Sequence, residues 1–509
     1  MGKRAEQNKK RKRLAQHSGN GGGKNVTPTY LPSPPDLEDE DDDQLVPAED
    51  LATTIFVLQT LCQNPEELSN KGMKELKRAT YELHRVMAEG AAIGSSLTSK
   101  ISAALQDYRF TDALVYLFEM YTRKLPPKLG ALQRWVRECD ATSSSDGSAG
   151  DAEALRCLDM ILRIANMSPE KGSEQEETAN NAETAIVRRK GIWRAREAVE
   201  GEIKVAEIIP KGNIPSPTPY PEFRVVNYIP GPERKPPNLY GSTVYASSPS
   251  AIKLSTQRPK PAKHEVPGVP GAFLITDVFT PEECLQIVQA ASSIGFERDE
   301  AAQGSARMKT SILARNFVWL ADQNVLDHFY STIVPFVPQA APTSVDGNGG
   351  GKVRGINARC RVYQYTENQV YRPHIDGAWP AAGLDPSTGE YLHDSSPPND
   401  PLWSRYTLLV YLNSDIPRDT GCTTFFLPSP TIGTLDAISV APVQGAVLCF
   451  PHGDTQGSLL HEGSAVGPDG RKFVIRTDLL YEAKGFGAFK PPASVGVVQG
   501  GKAEEGTGG

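Results

Sequence analysis

Apolar residues recur every three or four positions from about residue 48 to 167, a spacing that predicts α-helices. Leu51, Ile55, Leu58 and Cys62 form one stripe, and Leu76, Leu83 and Met87 form another. Leu97, Ile101 and Leu105 follow, then Leu114, Leu117, Phe118 and Tyr121. Pro126-Pro127 interrupts the chain before Leu129, Leu132, Trp135, Val136 and Cys139. Beyond a Ser/Gly-rich loop at 143–150, Leu155, Leu158, Ile161 and Leu162 complete the series. Each stripe covers one side of its helix, so the segments must bury those sides together. Residues 48–167 are expected to form an all-α helical domain.

From about residue 266 the pattern changes. Phe279-Thr280-Pro281-Glu282-Glu283 announces a helix: Thr280 caps, Pro281 takes the first position and Glu283 completes a capping box. Leu285, Ile287, Val288 and Ala291 give that helix one apolar face. A strand is expected before it at 272–275, and others after it at 361–365, 406–412, 423–426, 445–450 and 472–481. These runs are rich in β-branched and aromatic residues and are separated by Gly, Pro, Asn and Asp. Many short strands beside a helical layer predict a double-stranded β-helix, or jelly roll, with flanking helices over 266–488.

Residues 168–265 read as a linker. A helical patch is expected at 184–199, with Ile186, Ile192 and Trp193 as its docking side chains. Beyond Pro210 the runs PSPTPYPEF, PGPERKPPN and RPKPAKH favour an extended spacer. The chain is therefore read as multidomain.

Charge adds the tails. The basic block Lys9-Lys10-Arg11-Lys12-Arg13 is followed by an acidic run from Asp36 to Asp43, so residues 1–47 are expected to be disordered, as is the Gly-rich stretch 489–509. The basic block suits nuclear import, leaving nucleus or cytoplasm open. A net charge of −7 gives no overall pull toward nucleic acid. Seven cysteines with no C-x-x-C fit reduced thiols. With no apolar run of spanning length and no secretory signal, an intracellular protein without a membrane partner is expected.

The candidate chemistry sits in RVYQYTENQVYRPHID (361–376) and HEGSAVGPDGRKFVIRTDLLY (461–481). His374 and Asp376 are i and i+2, so an extended chain projects them to the same side, about 6–7 Å apart. His461 follows 87 residues later and must arrive on another strand. Two histidines and one carboxylate on one face form the triad that holds non-haem Fe(II) and leaves positions open. In GRKFVIRTD, Lys472, Val474 and Arg476 share one side of a strand, and Phe473 and Ile475 share the other. The first side carries two cations inward, and a buried cation needs an anion from the protein or a ligand. Lys472 and Arg476 are about 13 Å apart along the strand, so one of them holds a given carboxylate and the other faces substrate or pairs with Asp478. A second H-x-D, His452-Gly453-Asp454, lies only 9 residues before His461, after which no further histidine follows to serve as third ligand. It is expected to be structural, at the lip of the strand carrying His461. His393-Asp394 falls in a Pro/Asp/Ser-rich loop and is expected to be exposed. Glu462 either supports His461 or faces solvent.

Taken with RYTLLVYLN and GCTTFF, these segments resemble the 2-oxoglutarate- and Fe(II)-dependent dioxygenases of the prolyl 4-hydroxylase type, over roughly 268–485. The resemblance implies that His374, Asp376 and His461 bind iron. It also implies that Lys472, or alternatively Arg476, pairs with the distal carboxylate of 2-oxoglutarate, and that Tyr365 and Tyr411 line that pocket. Fe(II), 2-oxoglutarate and O2 would be the cofactors, with ascorbate open as an accessory. The implied activity is hydroxylation of a protein substrate, with proline as the favoured target. A nucleic-acid-modifying oxygenase and a non-catalytic jelly-roll binding protein are the rival classes. In the N-terminal half, Leu97–Gly130 is similar to a single pentatricopeptide-type helix–turn–helix unit, which keeps nucleic acid open as a less favoured partner.

Overall fold

The computed structural model describes residues 47–90, 96–141, 150–165, 185–197, 202–209, 221–234, 237–299, 314–344 and 351–483. The expected disordered tails, with the basic block and acidic run, lie outside them. Contacts divide the chain into two units, residues 1–84 and 85–509. In the first, α1 (Ala48–Gln63) is followed by two short 3-10 turns and the start of α2 (Lys74–Gly90). Leu51 and Ile55 remain exposed, so the expected bundle does not extend through this stripe.

The second unit begins with α3 (Leu97–Gln106), α4 (Phe110–Thr122), α5 (Leu129–Glu138) and α6 (Ala152–Ile164). Their apolar faces meet, as the periodicity requires, but they do not close a core alone. Ile101, Leu117, Trp135 and Leu158 share one cluster with Ile375, Phe426, Leu435 and Leu460. The helical domain expected at 48–167 is thus corrected to a helical layer, 97–164, lying against a sheet. No stack of repeats accompanies the Leu97–Gly130 helix pair among the described residues.

The strands are β1 (Val187–Arg189), β2 (Phe223–Ile229), β3 (Ser242–Ser247), β4 (Ala262–Glu265), β5 (Phe273–Thr276), β6 (Arg315–Leu320), β7 (Val353–Ile356), β8 (Arg359–Tyr365), β9 (Tyr371–His374), β10 (Gly383–Leu384), β11 (Tyr391–Leu392), β12 (Leu402–Tyr411), β13 (Thr423–Pro428), β14 (Leu435–Val440), β15 (Val447–Pro451), β16 (His461–Gly463) and β17 (Lys472–Glu482). A five-stranded sheet runs β1-β14-β13-β16-β9. A ten-stranded sheet runs β2-β3-β6-β8-β17-β12-β15-β5-β4, with β7 also on β17. Strand β17 shows how the layers are built. Its Val474 joins Tyr365, Tyr411, Phe425 and Phe450 in one cluster. Its Phe473 and Ile475 pack on the other side, with Ile287 and Val288 of α8 (Pro281–Ile294) and Phe329 of α9 (Gln323–Ile333). The expected capping box opens α8: Thr280 Oγ1 accepts from Glu283 N, and Glu283 Oε2 accepts from Thr280 N at 2.9 Å.

The linker expected at 168–265 is corrected in the same way. Strands β2, β3 and β4 belong to the large sheet; the short helix α7 (Val205–Ile208) precedes them, and a 3-10 turn at Gly231–Glu233 follows β2. The helix expected at 184–199 is extended instead. Strand β1 lies parallel to β14, and the chain continues to a bridge between Trp193 and Val440. The physical reason is the open edge of β14: Lys190 N and Trp193 N donate to Ala437 O and Ser439 O at 2.9 and 2.8 Å, pairings that a helix would forgo.

Candidate active site

Strands β9 and β16 are antiparallel neighbours, and their register sets His374 opposite His461. Opposed side chains on one face of such a pair meet directly, and the imidazole centroids are 4.4 Å apart. Asp376 lies just past the end of β9. Its Oδ1 is 3.6 Å from His374 Nε2 and its Oδ2 is 3.7 Å from His461 Nε2. One ligand atom from each residue lies within 4.8 Å of the others.

The backbone fixes both tautomers. His374 Nδ1 lies 2.8 Å from Arg372 O, and His461 Nδ1 lies 3.1 Å from Leu459 O. A carbonyl can only accept, so each Nδ1 carries a proton and Nε2 is the nitrogen left for a ligand. Burial pushes His461 down to about 3, with the neighbouring His374 adding to the effect, so the ring is neutral. Burial alone would raise Asp376. The Arg476 guanidinium foremost outweighs it and holds the carboxyl well below the usual carboxylate range. Two imidazoles and one carboxylate are the donor set of the Fe(II) facial triad, and they fit that ion.

A chain of hydrogen bonds orients the carboxylate. Thr407 Oγ1 donates to Asp376 Oδ2 at 2.7 Å, so it must accept from His452 Nδ1, also at 2.7 Å. His452 Nε2 then accepts from Ser404 Oγ at 2.9 Å, and Ser404 Oγ accepts from Trp379 N at 2.8 Å. His452 is neutral, pushed down to about 3 by burial and by nearby Arg476. The second H-x-D is therefore no ligand set, yet it is more than the strand lip expected of it. It follows β15, not the strand of His461, and it braces the first motif. Gly453 N donates to Asp376 O at 3.0 Å, and Asp454 pairs with Arg405 at 2.6 Å.

The structure separates the two expected cations. Register sets Lys472 opposite Tyr365 and Arg476 opposite Arg361. Arg476 Nη2 is 3.1 Å from Asp478 Oδ1, and its Nε is 3.5 Å from Asp376 Oδ2. Lys472 Nζ instead lies 5.5 Å from the Tyr365 ring centre and 5.6 Å from that of Tyr411. Tyr411 OH donates to Thr423 Oγ1 at 2.8 Å. No carboxylate lies within ion-pair distance of Lys472 among the described residues, and burial pushes this ammonium down to about 8. A buried, unpaired cation fits the carboxylate of a ligand.

His374, Asp376, His461, Tyr365, Lys472 and Arg476 line one cavity of about 710 Å³; Tyr411, expected on that wall, is not among its lining residues. Sequence reasoning missed much of its wall. Tyr371 stacks on His374 with ring centres 3.8 Å apart. From the helical layer, Gln133 Nε2 donates to Ile375 O at 3.0 Å, and Asp140 pairs with Arg372 at 2.6 Å. Both contacts grip the metal-ligand segment. His393 is exposed, as expected, but stands at the cavity wall, edge-on to Trp379. Glu462 is buried and accepts from Ser464 Oγ at 2.8 Å, which removes the solvent-facing alternative. The helix after the Pro-Pro pair and the strand expected at 361–365 located Gln133 and Arg361 on their elements, while Arg359 fell outside the expected strand; nothing local in the sequence aimed any of them here.

No protein-family model matches the chain, and no curated protein matches its sequence. Solved structures do. The viral collagen prolyl hydroxylase of Paramecium Bursaria Chlorella virus-1, in its 2OG complex, is 18% identical over 41% of this chain and 96% of that one, with a TM-score of 0.25. A prolyl hydroxylase from Trichoplax adhaerens, in complex with a hypoxia inducible factor oxygen degradation domain peptide fragment, is 14% identical over 42% and 84%, with a TM-score of 0.26. A Pseudomonas putida prolyl-4-hydroxylase is 16% identical over 33% and 71%, with a TM-score of 0.19. At these scores the likeness carries no argument about function, which rests on the site itself.

Proposed function

We propose that the chain is an Fe(II)- and 2-oxoglutarate-dependent dioxygenase, built on a double-stranded β-helix, that hydroxylates a protein substrate in the manner of a prolyl hydroxylase. One observation carries this reading: a two-histidine, one-carboxylate cluster and an unpaired buried lysine share one cavity. His374, Asp376 and His461 would hold the iron. Lys472 would hold the distal carboxylate of 2-oxoglutarate, with Tyr365 as a wall of the cavity and Tyr411 flanking the ammonium. When bound, the pair supplies the oxidising power that inserts one atom of O2 into a substrate C–H bond, with 2-oxoglutarate leaving as succinate and CO2.

The protein's own groups do the rest. The Nδ1 bonds and the Thr407 hydroxyl keep three donor atoms turned to one point before any ion arrives, so little reorganisation is needed on binding. Tyr371 covers one side of His374, and the tyrosine walls around Lys472 exclude water from the ammonium. Gln133 and Asp140 anchor the ligand segment to the helical layer. Trp379 and His393 line the same cavity, which would receive the target C–H.

The test is succinate release from 2-oxoglutarate under air with Fe(II), for the native chain and His374→Ala. Turnover that requires iron and vanishes in the variant is expected, and equal turnover by both refutes the assignment. Mass spectrometry of cell protein, with and without the active chain, then seeks hydroxylated prolines. Hydroxylation confined to RNA or DNA would replace the protein-substrate reading.

A further inference from the structure

Beside the histidine–carboxylate cluster, on its β8–β17 side, three guanidinium groups meet around a small recess. Arg359 and Arg361 are i and i+2 on β8 and point the same way. The β8–β17 register adds Arg476 opposite Arg361. Trp379, His393 and Asp478 also line the recess. Nε of Arg359, Nε of Arg361 and the indole Nε1 of Trp379 are buried and form no hydrogen bond; Arg476 Nε, 3.5 Å from Asp376 Oδ2, forms none either, and nor does the acceptor Asp478 Oδ1. Buried donors are almost always satisfied, so the three unmatched donors of Arg359, Arg361 and Trp379, more than the single Asp478 oxygen could take, point to a missing acceptor.

Charge balance agrees. Asp478 and Asp376 face Arg476. Asp299 Oδ2 lies 3.5 Å from Arg361 Nη1, but it already accepts from Asn316 Nδ2 at 3.0 Å, and Oδ1 takes Arg234 Nη2 at 2.9 Å. Arg359 has no ion pair among the described residues; its guanidinium centre lies 5.9 Å from the Trp379 ring centre. Burial, with Arg361 and Arg476 close by, pushes it down to about 10.

We propose, on the reading of this cavity as an oxygenase site, that the arginine recess receives a carboxylate of the substrate, so that the target carries an acidic group near the bond that is oxidised. The recess measures about 10 Å³, room for about one water-sized group. That suits the edge of a planar carboxylate, which a guanidinium fork matches with two parallel bonds. A tetrahedral phosphate with a nucleotide behind it suits it less. Lys472 lies four residues from Arg476, about 13 Å along the strand, so the two anion sites serve two molecules. In a peptide the carboxylate is an Asp or Glu side chain near the target residue.

The test uses the full chain with Mn(II) and 2-oxoglutarate under argon. The probes are labelled heptapeptides with a central proline and one Glu or Asp at each other position in turn. Matched Gln and Asn peptides, phosphoserine peptides, a 12-nucleotide RNA and free glutamate are run in parallel. One acidic series, or free glutamate, should bind at least tenfold tighter than its amide match. The two arms tell a peptide source of the carboxylate from a small acid. Arg359→Gln should reduce that preference to below twofold, and Arg359→Lys, which keeps the charge but not the fork, should retain an intermediate preference. Equal binding of acid and amide by the native chain overturns the proposal, as does tightest binding of phosphopeptide or RNA. Loss of 2-oxoglutarate binding in Arg359→Gln, with Lys472→Ala unaffected, also overturns it, because the arginines would then hold the cosubstrate. An acidic preference without any iron-dependent succinate release removes the oxygenase reading and leaves the carboxylate site standing.

Discussion

Thr407 and Asp376, 31 residues apart, are joined by a hydrogen bond of 2.7 Å whose direction is fixed, because an ionised carboxylate can only accept, and the hydroxyl in turn accepts from His452 Nδ1. The bond holds the carboxylate in the orientation that faces both Nε2 atoms. Thr407→Val keeps the shape and deletes the hydroxyl, leaving Asp376 Oδ2 and His452 Nδ1 without this partner. Metal affinity is expected to fall about 10–100-fold, the usual effect of losing such an outer partner, while Thr407→Ser stays near the native value. Mn(II) or Co(II) titration of the three proteins checks it. Identical affinities would show that the hydroxyl is a bystander.

Lys472 gives a pH prediction. Its ammonium is pushed down to about 8 by burial, and only the protonated form can pair with a carboxylate. The affinity for 2-oxoglutarate is therefore constant below about pH 8 and falls above it, approaching tenfold per unit. The sign follows because the ligand binds the charged form, so binding above pH 8 takes up a proton. Lys472→Arg, charged throughout, should move the fall out of the accessible range. Calorimetric titrations at pH 7, 8.5 and 9.5, in buffers of different ionisation enthalpy, read both the affinity and the proton. A flat affinity would place the carboxylate elsewhere.

The parts legible in the sequence were those set by local geometry. The i, i+2 spacing put His374 and Asp376 on one side, and alternation sent Lys472 and Arg476 inward while Phe473 and Ile475 went out to the helices. The capping residues at Thr280 and Glu283 announced α8. What stayed hidden depends on register between distant strands. Thr407 reaches Asp376 only because β12 lies between β15 and β17, and Arg359 becomes a cavity residue only once β8 pairs with β17. The stretch around Val187 and Trp193 misled because its apolar spacing suits a helix, while an unpaired sheet edge rewarded an extended chain. Prolines near β2 and β4 read as spacer, yet these strands sit at the ends of the large sheet, where missing backbone donors are tolerated.

The shared core of the helical layer makes it part of the catalytic unit. Trp135 is fully buried, and its Nε1 donates to Ser102 Oγ at 2.9 Å. Trp135→Ala should lower stability by about 3–5 kcal/mol, read by denaturant titration. A fragment starting at residue 185 should not fold on its own, because Ile375, Phe426, Leu435 and Leu460 lose their cover. A soluble, cooperatively melting fragment would contradict this.

Gly453 tests whether the second H-x-D serves the first. Its φ is +68°, a conformation that favours glycine, and a Cβ there would stand 2.7 Å from Ala378 Cβ and 3.3 Å from Ala378 N. Its amide also holds Asp376 O at 3.0 Å. Gly453→Ala must therefore push residues 376–378 away, shifting the carboxylate that Thr407 and His452 orient. Stability should fall by about 1–3 kcal/mol from the strained backbone, and metal affinity should fall as well. A control separates the two effects. Gly445 also has a positive φ, and a Cβ there would stand 2.0 Å from Phe279 O, in contact with the turn before α8. Gly445→Ala should cost stability at least as much as Gly453→Ala. If both variants remain folded at low temperature, Mn(II) binding should weaken in Gly453→Ala alone. Equal loss in both would mean that strain anywhere in the sheets disturbs the site, and that the 452–454 segment has no special hold on Asp376.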